Sequence, residues 1–319
     1  MIAERIIDGK RLKPDDNLDF LLTTPLEQLQ TGAKLIQKEF FGNHIDFCTI
    51  INGKSGRCGE NCKYCAQSAR HKTGIAEYPF LSAEKILKVA LDDEKAGVNR
   101  FSVVTSGRNL DENSFERAIE AYKVLHAKLK INLCASHGIL TFEQLKKLKS
   151  AGVTRYHHNL ETSRRFFPQI CTTHTFEDRI RTIKFAQAAN LEVCSGGIIG
   201  MGENWQDRID LAFELANLGI KSIPINILNP IKGTPLENLK ILAPEEILRT
   251  IAIFRYINPT AHIRLAAGRK FLPDNGASAF LHGASAAITG NMLTTSNTNI
   301  NSDQKLLNEL GLTNKSWEE

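Results

Sequence analysis

Three cysteines in a C-x3-C-x2-C spacing are the residues of this chain that most directly indicate chemistry. They are Cys58, Cys62 and Cys65. Structural zinc normally takes four protein ligands, so three thiolates with no fourth cysteine nearby form an incomplete cage for it. A four-iron cluster also needs four ligands, and three cysteines leave one of its irons open. The spacing therefore predicts an iron–sulfur cluster with an open iron, at which chemistry can take place.

Four further cysteines are spread along the chain: Cys48, Cys134, Cys171 and Cys194. The first ten residues are charged and lack a signal-peptide core, and no window approaches the ~18 apolar residues of a membrane span. We therefore expect a cytoplasmic protein. In a reducing compartment, cysteines indicate metal binding or catalysis rather than disulfides. The net charge of +5, without a long basic run, gives no positive case for nucleic acid.

Short apolar runs alternate with amphipathic stretches along most of the chain, which is typical of β/α repeats. The eight candidate strands are 45–52, 100–105, 130–135, 154–160, 192–198, 222–228, 262–267 and 284–289. Several of the helices between them have readable starts, such as the capping box at 141–144. The pattern predicts an α/β fold, a closed (β/α)8 TIM-type barrel, with a doubly wound open sheet as the alternative.

We expect residues 1–319 to form a single domain in three parts. Residues 1–43 would be an N-terminal helical segment, 44–293 the barrel, and 294–319 a short C-terminal extension. Active sites of such barrels lie at the C-terminal ends of the strands. Because Cys58, Cys62 and Cys65 follow the first strand, we expect them in a loop at that end. A zinc knuckle and three unrelated buried cysteines are the alternatives that the spacing leaves open.

The cysteine loop, 57–65, resembles that of the radical S-adenosylmethionine (SAM) enzymes. The resemblance implies that Cys58, Cys62 and Cys65 hold a 4Fe–4S cluster whose open iron binds SAM. One electron from the cluster would then cleave SAM and release a 5′-deoxyadenosyl radical. Tyr64 matches the aromatic residue that lies near the adenine in that family. An electron donor such as flavodoxin or ferredoxin is implied as a partner.

Six motifs occur in the same order as in the biotin synthases and extend over roughly 45–295. They are YCAQS from Tyr64, YHHNLETS from Tyr156, VCSGGIIGMGE from Val193, PIN from Pro224, KGTPL from Lys232 and RLAAGR from Arg264. The resemblance implies conversion of dethiobiotin to biotin, in which deoxyadenosyl radicals cut two C–H bonds and one inserted sulfur atom closes the ring. It also implies a homodimer.

The same resemblance implies binding residues within these motifs. Asn159 and Asn226 match asparagines that hydrogen-bond the ureido ring of the substrate, and an amide, like a urea, offers both a donor and an acceptor. Glu161 stands where an aspartate that binds the SAM ribose is usual. Three glycines let the backbone approach a ligand closely, with a plain turn as the alternative, and are expected to contact the cofactor: Gly196, Gly197 and Gly200.

Biotin synthases hold a second cluster, 2Fe–2S, on three cysteines and an arginine, and this cluster donates the sulfur. Cys134, Cys194 and Arg264 match three of those positions, but Ser102 stands at the fourth. A serine oxygen is a poor iron ligand beside a thiolate. Cys48 offers a replacement, because barrel interiors are built in layers from alternate strands. We expect Cys48, Cys134, Cys194 and Arg264 to surround one point on the barrel axis and to hold an auxiliary cluster of altered type. Our hypothesis is a four-iron cluster with an extra sulfide.

Several alternatives remain open from the sequence. Cys48 and Cys171 can each be an ordinary buried cysteine, with Cys171 otherwise a spare ligand. Arg264 can be a cation paired with a carboxylate, and His157 and His158 are interpreted as polar lining of the barrel. The chain can also be a relative from the biotin and thiamin synthase-like group that acts on another small molecule without sulfur insertion. From another class, it can be a non-catalytic iron–sulfur or zinc protein.

Overall fold

The structure, a computed structural model, describes residues 2–290 and 299–315. Its named strands pair in parallel with their neighbours. They are β1 (Asp46–Lys54), β2 (Arg100–Thr105), β3 (Asn132–Ser136), β4 (Val153–His157), β5 (Glu192–Cys194), β6 (Gly197–Ile199), β7 (Ser222–Ile227), β8 (His262–Leu265) and β9 (Ala286–Ile288).

The strands form a closed ring. They follow one another in the order β5, β4, β3, β2, β1, β9, β8, β7, and a direct pairing of β5 with β7 completes the circle. β6 follows β5 along the chain and also pairs with β7, so β5 and β6 share one place in the ring. The predicted eight-place (β/α)8 barrel is therefore confirmed, and the open sheet is excluded.

Two strands end three or more residues before the position that the sequence pattern predicts. The predicted fifth strand is split into β5 and β6, because the chain at Gly196 runs against β7. A Cβ atom there would lie 1.9 Å from the carbonyl oxygen of Pro224, which leaves no room for a side chain. The predicted fourth strand stops at 157, so Asn159 lies in the loop beyond β4 rather than in the strand, and Glu161 lies in the same loop.

Helices surround the barrel and connect its strands. The helices are α1 (Ile2–Ile7), α2 (Phe20–Thr23), α3 (Leu26–Phe41), α4 (Ala83–Lys95), α5 (Glu112–Lys128), α6 (Phe142–Ser150), α7 (Phe167–Ile170), α8 (Phe176–Ala188), α9 (Trp205–Asn217), α10 (Pro244–Ile257), α11 (Ala277–Leu281) and α12 (Ile300–Glu309). The helix start predicted at Thr141 is confirmed, since its side chain accepts a hydrogen bond from a backbone N–H of the first turn. The side chains of Ser82 and Asn204 do the same at the starts of α4 and α9.

The two ends of the chain lie against the barrel. The N-terminal segment contains three separate helices, and α3 buries Leu29, Ala33 and Ile36 as its periodicity predicts. At the other end, α12 buries Leu307, and residue 313 forms a β-bridge with 44 beside the start of β1. Of the expected C-terminal extension, 294–298 and 316–319 lie outside the described residues.

Buried charge closes the N-terminal end of the barrel. The Oδ2 atom of Asp46 lies 2.5 Å from Arg264, 3.4 Å from Arg100 and 3.7 Å from Arg155. Burial by itself raises the pKa of Asp46, but the three guanidinium groups, Arg264 first among them, outweigh it and lower that pKa well below its usual range. Asp46 is therefore an anion among three cations at the floor of the cavity.

Candidate active site

One cavity of about 390 Å³ opens at the C-terminal ends of the strands and extends down the barrel axis. Six of the seven cysteines line it, in two groups at different depths. Cys58, Cys62 and Cys65 belong to the loop at its mouth, while Cys48, Cys134 and Cys194 come from the strands within. A cavity of this volume accommodates a small-molecule ligand.

The cysteine loop at the mouth is held by its own hydrogen bonds. The Cys58 backbone N–H donates to Gln67 O over 3.1 Å, and Cys58 O accepts from Ala69 N over 2.8 Å. Ser68 Oγ donates to Glu60 O over 2.6 Å. These contacts fold the loop back on itself, so the three thiols face the cavity together. The predicted grouping of the three cysteines at this end is what the structure shows.

The donor set at the mouth fits a four-iron cluster with one open iron. Three thiols line the cavity, and burial raises the pKa of Cys65 to about 11, so metal must displace a proton to bind there. A structural zinc site would need a fourth ligand facing the same point. Cys171 is close to Cys62 but, among the described residues, it is the one cysteine outside the cavity lining.

Cys171 lies behind Cys62, with the two sulfur atoms 3.7 Å apart. A hydrogen bond to Cys171, together with burial, raises the pKa of Cys62 well above the ordinary range of a thiol, so metal must displace its proton to bind. Cys171 does not line the cavity, so it does not belong to the group of thiols that would hold a cluster there. The geometry therefore disfavours its role as a spare ligand.

Tyr64, Glu161 and Arg179 form the wall beside the cysteine loop. Arg179 NH1 donates to Asn159 O over 2.7 Å and lies 3.4 Å from Glu161 Oε1. Burial and the nearby Glu161 raise the pKa of Tyr64 well above its usual value, so its hydroxyl remains protonated. Arg179 was not foreseen from the sequence. Its only signal there is its position one turn into α8, after the cap at Thr175.

Asn159 and Asn226 face the cavity at mid-depth, with their amides held by hydrogen bonds within the protein. Asn159 Oδ1 accepts from Gly196 N over 3.0 Å, and its Nδ2 donates to Glu161 over 3.3 Å. Asn226 Oδ1 accepts from Ala267 N, and its Nδ2 donates to Gly197 O, both over 3.1 Å. Each amide uses one N–H and one lone pair in these contacts, and a primary amide has two of each.

The glycines predicted to contact a cofactor do not line the cavity; Gly196 and Gly197 lie against protein backbone, and Gly200 lies against leucine side chains. A Cβ at Gly197 would lie 2.4 Å from Glu161 O, and Gly200 has a left-handed φ of 92° beside Leu242. Gly196 O accepts hydrogen bonds from the backbone N–H groups of Leu160 and Glu161. Their visible effect is to let the loop that carries Asn159 and Glu161 come close to β5 and β6. Direct contact of the glycines with a cofactor stays a prediction.

Three cysteines from β1, β3 and β5 converge below these asparagines. Cys48 and Cys134 are hydrogen-bonded, which raises the pKa of Cys48 and lowers that of Cys134. Ser222 Oγ donates to Cys194 Sγ over 3.3 Å. Ser102 is the Cα partner of Cys134 on β2 and lines the same cavity. The structure thus places Cys48 with Cys134 and Cys194, as the layer argument predicts, and puts a hydroxyl where the fourth thiol is missing.

Arg264 is held at the floor by several acceptors. Its NH1 donates to Asp46 O over 2.9 Å and to Ala287 O over 3.1 Å, and its NH2 donates to Asp46 Oδ2 over 2.5 Å. Burial lowers the pKa of Arg264, but the charge of Asp46 more than offsets this and raises it. These are the contacts of a charged guanidinium, and they favour the alternative in which Arg264 is a cation paired with a carboxylate.

The environment of the deeper thiols is electropositive. Burial by itself raises the pKa of Cys194, but a hydrogen bond from His157 and the nearby positive charges, including those of Arg264 and Arg155, outweigh it and lower that pKa to about 6. Arg155 and Arg264 both line the cavity. His157 is the Cα partner of Cys194 across β4 and β5. His157 is therefore more than the polar lining suggested by the sequence, because it contacts a thiol. Such surroundings suit an anionic iron–sulfur cluster.

Comparison with known proteins decides the family. Residues 54–215 match the radical SAM superfamily, and residues 224–313 match the biotin and thiamin synthesis associated domain. The chain is 56% identical over 310 residues to the biotin synthase of Clostridium beijerinckii, covering 97% of this chain and 98% of that one. It is 59% identical over 292 residues to that of Clostridium perfringens, covering 92% of each. The chain belongs to the biotin synthase family.

Solved structures of other proteins have the same fold as this chain. Methylornithine synthase superposes with a TM-score of 0.86 at 20% identity, covering 99% of this chain and 98% of that one. A maturase of the [FeFe]-hydrogenase, HydG, gives a TM-score of 0.83 at 20% identity, covering 99% and 75%. At these identities the likeness shows the barrel alone.

Membership of the radical SAM superfamily implies that the chain binds a 4Fe–4S cluster, SAM and a small-molecule substrate. In the described ranges, 2–290 and 299–315, the helices are all too short or too polar to cross a membrane.

Proposed function

We propose that this protein is a biotin synthase that converts dethiobiotin to biotin, with sulfur supplied by an auxiliary iron–sulfur cluster of altered type. The observation that carries the proposal is the second group of thiols: Cys48, Cys134 and Cys194 lie deep in the same cavity whose mouth carries the cysteine loop. A substrate between the two groups would have a radical source above it and a sulfur source below it.

At the mouth, Cys58, Cys62 and Cys65 would hold the 4Fe–4S cluster. When bound, the cluster and SAM supply a deoxyadenosyl radical that removes hydrogen atoms from the substrate. Tyr64 offers an apolar ring for the adenine, and Glu161 offers carboxylate oxygens for the ribose hydroxyls. Arg179 holds Glu161 and the Asn159 backbone in place, which fixes the orientation of this wall before SAM arrives.

At mid-depth, Asn159 and Asn226 would bind the ureido ring of dethiobiotin. Each has a second N–H and a second lone pair beyond those engaged within the protein. A urea has N–H donors and a carbonyl acceptor, so two amides on the same wall of the cavity can both hydrogen-bond to it. Because these contacts already fix both amides, little side-chain freedom is lost on binding.

On the deeper strands, Cys48, Cys134 and Cys194 would hold the auxiliary cluster, which we propose has four irons and an extra sulfide on its open iron. Ser102 supplies only a hydroxyl, a poorer ligand for iron than a thiolate. Three thiolates around a four-iron cube again leave one iron open. Arg264, paired with Asp46, would contribute positive charge beneath the cluster in place of a ligating nitrogen.

The proposal also includes a cytoplasmic location, a homodimer, and a flavodoxin or ferredoxin as the electron donor. The surface around the cysteine loop supports the last of these. Lys63, Arg70 and Arg108 are exposed beside the cluster ligands. Such positive charge would attract an acidic electron carrier and shorten the path of the electron to the cluster.

The experiment is an anaerobic turnover assay. The chain is reconstituted with iron and sulfide, mixed with dithionite, SAM and dethiobiotin, and the products are measured by mass spectrometry. We expect both deoxyadenosine and biotin. Cys58→Ala should abolish both products, whereas Cys48→Ala should still yield deoxyadenosine but no biotin.

One observation, the serine at position 102, favours a second candidate function. Deoxyadenosine without biotin from the wild-type chain would support a relative that acts on another small molecule without sulfur insertion. No deoxyadenosine at all would support the non-catalytic iron–sulfur or zinc protein.

A further inference from the structure

Behind the cluster loop lies a buried network that the proposed reaction does not use. It consists of Cys171 and His174, which follow α7, together with Glu60 of the cysteine loop. Cys171 is only 4% exposed, and its sulfur lies 3.7 Å from Cys62 Sγ and 3.4 Å from His174 Nδ1. A hydrogen-bonded group so close to a cluster ligand can act on the cluster through that ligand.

A separate metal site is the first possibility that the geometry raises. The ligand atoms of Cys62, Cys171 and His174 lie within 4.8 Å of one another. A tetrahedral metal with ~2.3 Å bonds to sulfur places two thiolates about 3.8 Å apart, close to the distance found here. Whether a metal can bind here depends on the protons that these groups carry.

The protons of His174 exclude that possibility. Arg179 Nε–H lies 3.1 Å from His174 Nε2, and a guanidinium can only donate, so Nε2 is the acceptor. Nδ1 therefore carries the ring proton, and it donates to the Glu60 carboxylate, to which Thr173 Oγ also donates. A ring held with its proton on Nδ1 has no lone pair there for a metal.

The remaining choice is the direction of the Cys171 S–H group. Asn61 Oδ1 lies 3.4 Å away but already accepts from the backbone N–H groups of Thr172, over 3.0 Å, and Thr173, over 3.3 Å. Cys62 Sγ has no proton once it binds iron, because metal ligation requires the thiolate. A thiolate is the better acceptor because it is charged.

We propose that Cys171 is a positioning residue whose S–H donates a hydrogen bond to the cluster-bound Cys62 thiolate and thereby raises the reduction potential of the SAM-binding cluster. The proposal rests on Cys62 being a ligand of that cluster. A hydrogen bond to a cluster sulfur stabilises the reduced state, which carries one more negative charge.

The consequence is an easier first electron transfer. A cluster with a higher potential accepts an electron more readily from a biological carrier, at the expense of some driving force for cleaving SAM. The position of Cys171 behind the ligand, away from the cavity, lets it act in this way without touching SAM or the substrate. In this role Cys171 is a ligand of neither the SAM-binding cluster nor the auxiliary cluster.

The test is a redox titration of the full chain with both clusters present, monitored by electron paramagnetic resonance. The signal of the SAM-binding cluster is recognised by its change when SAM is added, and no dethiobiotin is needed. Cys171→Ala removes the donor, Cys171→Ser keeps one, and Ile170→Val is the matched packing control one residue away.

We expect Cys171→Ala to lower the midpoint potential, while Cys171→Ser and Ile170→Val stay close to wild type. We also expect a proton coupling that exchanges in heavy water, seen by pulsed electron–nuclear resonance, to disappear in Cys171→Ala. An unchanged potential in Cys171→Ala, or an equal fall in Cys171→Ser, would overturn the proposal.

Iron counts distinguish this proposal from the proposed function. All three variants should keep the wild-type iron content, since none removes a ligand. Loss of the SAM-responsive cluster in Cys171→Ala would mean that Cys171 is a ligand, and the proposal would be wrong. The titration measures no biotin, so its result does not depend on whether the biotin synthase assignment is correct.

Discussion

At the scale of single residues, our proposal for the deeper cluster depends on one oxygen-for-sulfur difference. Ser102 has oxygen where a sulfur ligand is usual in the family, and Cys48 brings a sulfur from the neighbouring strand. In the structure Cys48 is hydrogen-bonded to Cys134, while Ser102 lies beside Cys134 on β2. The sequence was sufficient to predict that Cys48 lies close to Cys134, because side chains alternate along strands and barrel interiors are built in layers.

We predict that Cys48→Ala lowers the iron content of the reconstituted chain from about eight to about four atoms, because a four-iron auxiliary cluster would lose one of three thiolates. Ser102→Ala is the matched control and should keep the full content. Iron and sulfide assays measure both. Full iron in Cys48→Ala would show that the cluster is held without it.

The charged floor is also a matter of single residues. We predict that Asp46→Asn destabilises the chain by about 3–5 kcal/mol, because it leaves three buried guanidinium groups without their shared carboxylate. The free energy of unfolding in urea, measured anaerobically near pH 7 on both proteins, checks the change. A difference below ~1 kcal/mol would mean that the pairing contributes little.

The same carboxylate predicts a pH dependence. The folded-state pKa of Asp46 is lowered, so its contribution to stability is complete above the unfolded pKa of about 3.9 and is lost as the pH falls toward the folded value. The stability gap between wild type and Asp46→Asn should therefore be constant from neutral pH down to roughly pH 5 and narrow below pH 4. A gap that already closes between pH 7 and 5 would point to a different group.

Long-range partnerships of this kind were not visible in the sequence. Asp46 joins Arg264 across 218 positions of the chain, and Arg179 supports the wall around Glu161 from another helix. The contact between Cys62 and Cys171 joins residues 109 positions apart. Each of these side chains has an unremarkable local context, so only the folded barrel reveals its partner.

At the scale of elements, the strands were predictable and their ends were not. Hydrophobic runs placed all eight barrel positions, since a buried parallel strand reads as a continuous apolar run. The break between β5 and β6 depends on how closely the chain passes β7, which no local pattern reports. Direct contact of Gly196 and Gly197 with a cofactor was inferred from the freedom of glycine, whereas the structure shows that freedom used against backbone.

We predict that Gly196→Ala strongly destabilises the barrel, by more than ~3 kcal/mol, because the new Cβ would meet the Pro224 carbonyl at 1.9 Å. Gly59→Ala is the matched control in the cysteine loop, where a Cβ meets nothing within 4 Å. The unfolding free energy measures both variants. Equal stability of the two alanine variants would contradict the close approach at β7.

At the scale of the whole molecule, the barrel arranges three layers of chemistry along one axis. A thiol loop lies at the mouth, two amides lie at mid-depth, and three thiols lie above a charged floor. The order follows from the fold, because parallel strands all present their C-terminal ends to the mouth. In the proposed function, a substrate held by Asn159 and Asn226 would lie between a radical source and a sulfur source.

The central claim is that sulfur from a cluster on Cys48, Cys134 and Cys194 enters the product. The most direct test is to reconstitute the chain with sulfide enriched in a heavy sulfur isotope, remove free sulfide, and supply dithionite, SAM and unlabelled dethiobiotin. The account predicts biotin that carries the heavy isotope, as measured by mass spectrometry. Biotin with sulfur of natural abundance, or deoxyadenosine without any biotin, would contradict it.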